Sequence, residues 1–559
     1  MKFKEIATTI PRYGEHLFKQ IFAEPDAYAD YREAKQRGDL EIEIVGSPAF
    51  QHLHWESLKD PNSPTPLAVD YPLCRRRELQ RVPPLTVPES PILRVLLVVA
   101  RPNGKNDVGY RTVSRPLVEM VQQAQLPVQM DILRPGTYRA LFDHLENTTA
   151  QHGKGYYHLL HFDVHGALLD HANLHAGCQA GAYLYQLRYA RQDFQPFEGK
   201  KAFLLLASDP QAKASHDLVE ATECTQLLAR HGIPLVVLNA CQSAKQENLE
   251  TETSLASRLL EAGAHTVVAM AYSVTVSAAK TFMHRLYQQL FQQPIWSEAI
   301  RRARLELYND KNRRAGYNEK IELEDWLLPV VYQQQPVTLP LRAFTVAEET
   351  AYWEQVARRY EVPTTHYGFV GRDLDVLEIE QRLLAQENEL LIQGLGGVGK
   401  TTLLHHLGAW WQATRLVEQV FYFGYDERTW HPQQILDAIA RQLYGDKTEA
   451  YLQRFQPLSP AAQQQKLVRE LKATRHLLIL DNLESITGTQ LAILHTLPPA
   501  EQAALQGFLA ALHGGKTLVL LGSRSDEAWL AKGTFGGNVY ALSGLDPEAR
   551  TELANQILQ

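Results

Sequence analysis

The sequence predicts an α/β chain of two units, and three observations predict it. Short, near-continuous apolar runs alternate with helical stretches, the pattern of parallel strands buried on both faces. That alternation occurs twice, first over residues 91–335 and again from Glu389 onward. Between them lies Gln333–Pro340 (QQQPVTLP), polar, bounded by proline and crossed by no periodic pattern. The domains are therefore placed at 1–335 and 364–559, with a linker over 336–363.

The first ~40 residues read as helical, with Ile6, Ile10, Leu17 and Ile21 on an apolar stripe among charges. Leu40–Val45 alternates like a strand, and the many prolines of Pro61–Pro91 imply extended chain or loop. The strands expected next are Leu93–Ala100, Val128–Leu133, Tyr156–Phe162, Ala202–Ala207, Pro234–Ala240 and His265–Ala271. Helices over about Ser277–Gln292 and Glu298–Leu307 follow, then Asp325–Gln333. After a helix at Val346–Tyr360, strands of the second unit begin at Glu389, Gln419, His476 and Thr517.

Composition narrows the function. The 559 residues are 45% hydrophobic and 21% charged, which excludes collagen, coiled coil and general disorder. The net charge of −7 argues against a chain-wide footprint for nucleic acid, and no clear nucleic-acid site stands out. Cys74, Cys178, Cys224 and Cys241 form neither a disulfide framework nor a CxxC metal spacing. The start has no apolar signal core, and no apolar run nears the ~18–20 residues that span a bilayer. A reducing cytoplasm is expected, where a thiol stays free to act as a nucleophile.

Gly394-Leu-Gly-Gly-Val-Gly-Lys400-Thr401 satisfies GxxxxGK[ST], with an apolar strand before it and a helix after it. Gly394, Gly396, Gly397 and Gly399 let successive N–H groups curl toward phosphate oxygens, and the helix N-terminus adds partial positive charge. Lys400 would reach the β- and γ-phosphates of ATP or ADP, Thr401 would ligate Mg²⁺, and Thr402 follows in the same turn. Asp481, ending LLILD, supplies the second Mg²⁺ carboxylate. Asn482 stands where fast ATPases often place a water-polarising acid, and Glu484 is the nearest substitute, so slow hydrolysis is expected.

These segments, with LVLLGSR, resemble the NB-ARC branch of the STAND ATPases. The resemblance covers about Tyr367–Gln559. It implies that Phe369-Val-Gly-Arg372 contacts the adenine and that Arg524 is a sensor near the γ-phosphate. It also implies a winged helix and a sensor array beyond Gln559, and a resting ADP state that exchanges for ATP and self-oligomerises.

In the first unit one strand runs into Asp163-Val-His165-Gly166 and another into Asn239-Ala-Cys241. Both sites fall just past the carboxyl ends of parallel strands, where open α/β sheets place their chemistry. An imidazole beside a thiol can deprotonate it for attack on a carbonyl. The N–H groups of Gly166 and Cys241 would form an oxyanion hole. Taken alone, a small buried hydrophobe is the commoner reading of a lone cysteine such as Cys241. His161 and His165 lie ~13 Å apart along a strand and cannot share a metal ion, so His158 and His161 read as core histidines. Asp163 could orient the imidazole or recognise a basic substrate side chain, and a solvated or capping Asp is an equal reading. Arg75-Arg76-Arg77 reads as a solvated run, with contact to an acidic partner as the alternative.

HFDVHG followed by LVVLNACQSA resembles the CHAT family, caspase-like domains of the clan CD cysteine peptidases, over about residues 40–335. HLHWESL, SVTVSAAKTFMHRLYQQL, SEAIRRAR and EDWLLPVVYQ extend the likeness. The resemblance implies a caspase-like, mostly parallel sheet, a His165–Cys241 dyad and a protein substrate, with residues 167–217 as a long insertion. It implies a nucleotide-switched peptidase effector of defence or programmed cell death. A non-catalytic CHAT adaptor whose ATPase drives assembly is the alternative.

Overall fold

The structure is a computed structural model and describes residues 2–38, 40–51, 53–76, 87–100, 114–185, 196–208, 216–239, 255–260, 264–270, 276–314, 320–334, 336–363, 368–385, 387–488 and 495–558. The chain divides into two compact units, Met1–Thr345 and Val346–Gln559.

The first unit's described strands are β1 (Ile42–Val45), β2 (Leu73–Arg76), β3 (Leu93–Val99), β4 (Val128–Leu133), β5 (Leu159–Asp163), β6 (His165–Asp170), β7 (Tyr183–Leu184), β8 (Lys200–Ala207), β9 (His216–Glu220), β10 (Leu235–Asn239), β11 (Thr266–Met270), β12 (Asn312–Arg314), β13 (Lys320–Glu322) and β14 (Pro329–Gln333). Eight of them form one sheet in the order β1-β2-β14-β11-β10-β5-β3-β4. Every pair in it is parallel except β11 with β14. The apolar runs are continuous because both faces are covered. Leu96 and Val98 of β3, with Leu160 and Phe162 of β5, share a core with Leu141 and Leu145 of the helix Tyr138–His152 and with Leu227 of Ala221–Arg230. The N-terminal helices Lys2–Ile21 and Pro25–Arg37 close a smaller core around Leu17, Phe18, Tyr31, Trp55 and Leu67.

Three expectations are corrected here. Ala202–Ala207 is not a strand of the large sheet. It lies in β8, antiparallel to β6 with His165 opposite Leu205, in a second sheet ordered β6-β8-β9-β7. The run is apolar on both faces for a different reason: Ala202, Leu204 and Leu206 join the large core, while Phe203 packs with Leu174 and Leu218 beneath the small sheet. The stretch expected as a long insertion, residues 167–217, thus contributes to this small sheet. Arg75 is not solvated. It is buried, pairs with Glu56 at 2.6 Å and lies over the Tyr332 ring. Residues 336–341 are not a free tether either. Val337 and Leu339 are buried, Leu339 N–H donates to the Pro294 carbonyl, and Leu341 bridges to Ser90, so this stretch belongs to the first unit.

The second unit holds β15 (Glu389–Gln393), β16 (Val420–Gly424), β17 (Leu477–Asp481), β18 (Leu518–Ser523) and β19 (Val539–Ala541). They form a wholly parallel sheet in the order β16-β17-β18-β15-β19. Four of these strands match the sequence expectation; β19, three residues long at the edge, was not foreseen. β18 stands between the strand that feeds the phosphate loop and the strand that ends in Asp481, so three carboxyl ends converge on one site. Among the described residues no helix is long and apolar enough to cross a membrane.

Candidate active and nucleotide-binding sites

The phosphate loop leaves β15 at Gly394 and enters the helix Lys400–Ala413. Gly397 and Gly399 take φ of 77° and 94°, a left-handed conformation that costs a residue with a Cβ, and space above both is open to 4 Å. Gly394 and Gly396 lie closer to protein: a Cβ on Gly396 would stand 3.3 Å from the Arg524 guanidinium carbon. The Lys400 ammonium donates to the carbonyl oxygens of Gly394 at 2.8 Å and Leu395 at 3.2 Å, bridging its own loop. Burial pulls its pKa down, while Glu484 and Asp481 oppose that shift. Thr402 is exposed on the first turn.

The Thr401 hydroxyl donates to Asp481 Oδ2 at 2.6 Å, so the two expected Mg²⁺ ligands are already adjacent. Asp481 is fully buried, and desolvation raises its pKa against the hydrogen bonds from Thr401, the Asn482 N–H and Tyr422. A cation would relieve that desolvation, so the donor set fits Mg²⁺: a buried carboxylate and a hydroxyl, both oxygen. The site has no room for a longer neighbour, since a Cβ on Gly522 would fall 2.3 Å from Asp481 Oδ1.

Arg524, at the end of β18, pairs with Glu484 at 3.0 Å, and its N–H donates to the same carboxylate. Glu484 is buried and also accepts from Ser523. The acid nearest the Asn482 position is therefore engaged with Arg524 and Ser523. Arg372 is buried at φ 68° and donates to the Val398 carbonyl in the phosphate loop and to the Ser543 carbonyl past β19. It bridges loop and edge strand. Phe369 stacks on His406 of the loop helix at 3.6 Å. Tyr422, whose hydroxyl donates to Asp481 Oδ2 at 3.2 Å, was missed by sequence reasoning. An alternating strand position carries no sign of which hydroxyl meets a carboxylate.

In the first unit β5 and β10 are adjacent and parallel, with Asp163 opposite Asn239. His165 comes two residues past Asp163, is buried, and opens β6 opposite Leu205; Gly166 pairs with Leu204 in the same ladder. Cys241 comes two residues past Asn239 and lies outside the described residues, as do 240–254. The residues two before each member of the expected dyad, Asp163 of β5 and Asn239 of β10, are thus in register, and Cys241 itself lies outside the described residues. His161 is wholly enclosed and burial pulls its pKa to about 4; Asp163 is buried beside it in the chain.

The sequence profile of the CHAT domain matches residues 11–362, more than half of the chain. The chain belongs to the CHAT family. Following the CHAT unit, the profile of the NACHT domain, a STAND P-loop NTPase, matches residues 388–559. The STAND assignment read from the motifs holds, and the matching branch is NACHT. No curated protein matches the sequence. Among solved structures, the Aeropyrum pernix ORC1 protein in complex with DNA is similar at 17% identity and TM-score 0.25, over 35% of this chain and 51% of that one. A chain of the Escherichia coli MS115-1 HORMA:CdnC:Trip13 complex is similar at 13% identity and TM-score 0.23, over 39% of this chain and 73% of that one. This CHAT–NACHT chain spans about half of the ORC1 chain, and at such scores neither likeness carries an argument.

Proposed function

We propose that this chain is a cytoplasmic cysteine endopeptidase effector switched by ATP and ADP, serving defence or programmed cell death. The observation that carries the reading is the β5–β10 register, which starts the His165 and Cys241 segments from opposed residues at one sheet edge. On this reading His165 takes the Cys241 proton, the thiolate attacks a peptide carbonyl, and the N–H groups of Gly166 and Cys241 receive the oxyanion. Lys400, Thr401 and Asp481 would hold a Mg²⁺–nucleotide, with Arg372 and Arg524 bracketing it. Bound Mg²⁺ would neutralise phosphate charge. Glu484, held by Arg524 and Ser523, supports slow turnover rather than rapid hydrolysis. Self-assembly on activation, a protein substrate and a sensor region acting on the NACHT unit complete the proposal.

The test compares wild type with Cys241→Ala and His165→Ala in a proteome-wide cleavage assay with ATP and the activating signal. Both variants should lose cleavage and keep nucleotide affinity. Undiminished cleavage by Cys241→Ala sinks the dyad. Nucleotide-driven assembly with no cleavage by any form points to a non-catalytic adaptor.

A further inference from the structure

Asp481 Oδ2 accepts two hydroxyls, one from Thr401 at 2.6 Å and one from Tyr422 at 3.2 Å. The second leads away from the phosphates. The Tyr422 ring stacks on His405 at 4.3 Å between centroids, one turn beyond Thr401 on the loop helix. His405 Nδ1 is 2.5 Å from the Tyr360 hydroxyl, and the two rings are nearly parallel. The Tyr360 N–H donates to Gln412 Oε1 at 2.6 Å. Its ring lies over Gly408, where a Cβ would approach it to 3.3 Å. Tyr360 thus meets the loop helix at His405, Gly408 and Gln412. It ends the segment by which the chain enters the nucleotide-binding unit, and the helix in that segment, Val346–Ala357, contributes no buried side chain.

We propose that Tyr422, His405 and Tyr360 form a relay through which Mg²⁺–nucleotide bound at Asp481 loosens the entry segment Val346–Tyr360. The proposal rests on the nucleotide reading above and adds the element that responds to it. Phenylalanine would fill the space of either tyrosine, yet both hydroxyls are aimed, one at the carboxylate and one at the imidazole that packs on its donor. A dication drawing on the lone pairs of Asp481 competes with the weaker of its two hydroxyl donors, Tyr422. With that bond lost, the Tyr422 ring is no longer fixed against His405, and Tyr360 loses its fixed partner. A first-turn event at Thr401 is carried to the segment that begins the second unit by side chains, with no backbone shift required of the loop helix.

Hydrogen–deuterium exchange of the full chain tests this. In wild type, Mg²⁺–ATP should speed exchange of the amides of residues 352–360 by roughly two- to tenfold, the equilibrium change expected from losing one hydrogen bond. ATP with EDTA should leave them slow. Tyr360→Phe should start at the fast rate and no longer respond, while binding Mg²⁺–ATP as tightly as wild type. Tyr422→Phe should give the same exchange pattern from the other end. Bound Mg²⁺–ATP with unchanged exchange in wild type overturns the relay alone, as does a wild-type response in Tyr360→Phe. Failure of wild type to bind Mg²⁺–ATP overturns the nucleotide reading as well.

Discussion

Lys400 holds its own loop shut: its ammonium donates to the Gly394 and Leu395 carbonyl oxygens, and a phosphate must replace those bonds. Charge-assisted bonds to phosphate are the stronger, so Lys400→Ala should weaken ATP and ADP binding about tenfold to hundredfold. Calorimetric titration checks this, and unchanged affinity for both nucleotides removes the loop from the site. The loop glycines, Lys400, Thr401 and Asp481 were legible because phosphate and cation chemistry demand those residue types at fixed places around a strand end. Arg75 was not legible. Its partners, Glu56 and the Tyr332 ring, lie 19 residues behind and 257 ahead, and a triple-arginine run gives no sign of which member turns inward. Tyr422 shares that fate, and so does the pairing of Glu484 with Arg524 and Ser523, since each comes from a strand far off in the sequence.

Strands fared by their faces. β3, β5, β10, β15, β17 and β18 were readable because both faces are covered, which leaves one continuous apolar word. β8 spells the same word while standing between a large core and a small one, so pattern alone could not tell it from a strand of the main sheet. β19 has three residues, too few for any period to register. β5 also carries a titration. Burial pulls His161 within it, and His158 just before it, to about 4. In the unfolded chain they protonate near 6.5. Between those values the unfolded chain binds more protons, so this contribution to stability is whole above pH ~6.5 and fades as pH falls toward ~4. The thermal transition of the full chain should drop across that window by calorimetry. His161→Leu should flatten the drop; an unaltered slope would assign the loss to other groups.

For the whole molecule the proposed switch makes nucleotide occupancy, not turnover, the condition for output. Signal-triggered cleavage should appear with ATP and with a non-hydrolysable analogue, and be slight with ADP or no nucleotide. If the analogue fails where ATP works, hydrolysis drives activation. Equal cleavage in all four arms means the two units are uncoupled. The place of β14 has a separate consequence for how the molecule is made. It lies between β11 and β2, and it pairs Tyr332 with Arg75. During synthesis, β2, already paired with β1, therefore waits for its second neighbour until the ribosome has released more than 250 further residues, 332 − 75 = 257 from one pairing partner to the other. Closure over such a separation is slow, and the open edge of β2 is a place where nascent chains can pair wrongly or recruit chaperones. The large sheet is thus completed only by β14, the last of its described strands to be made.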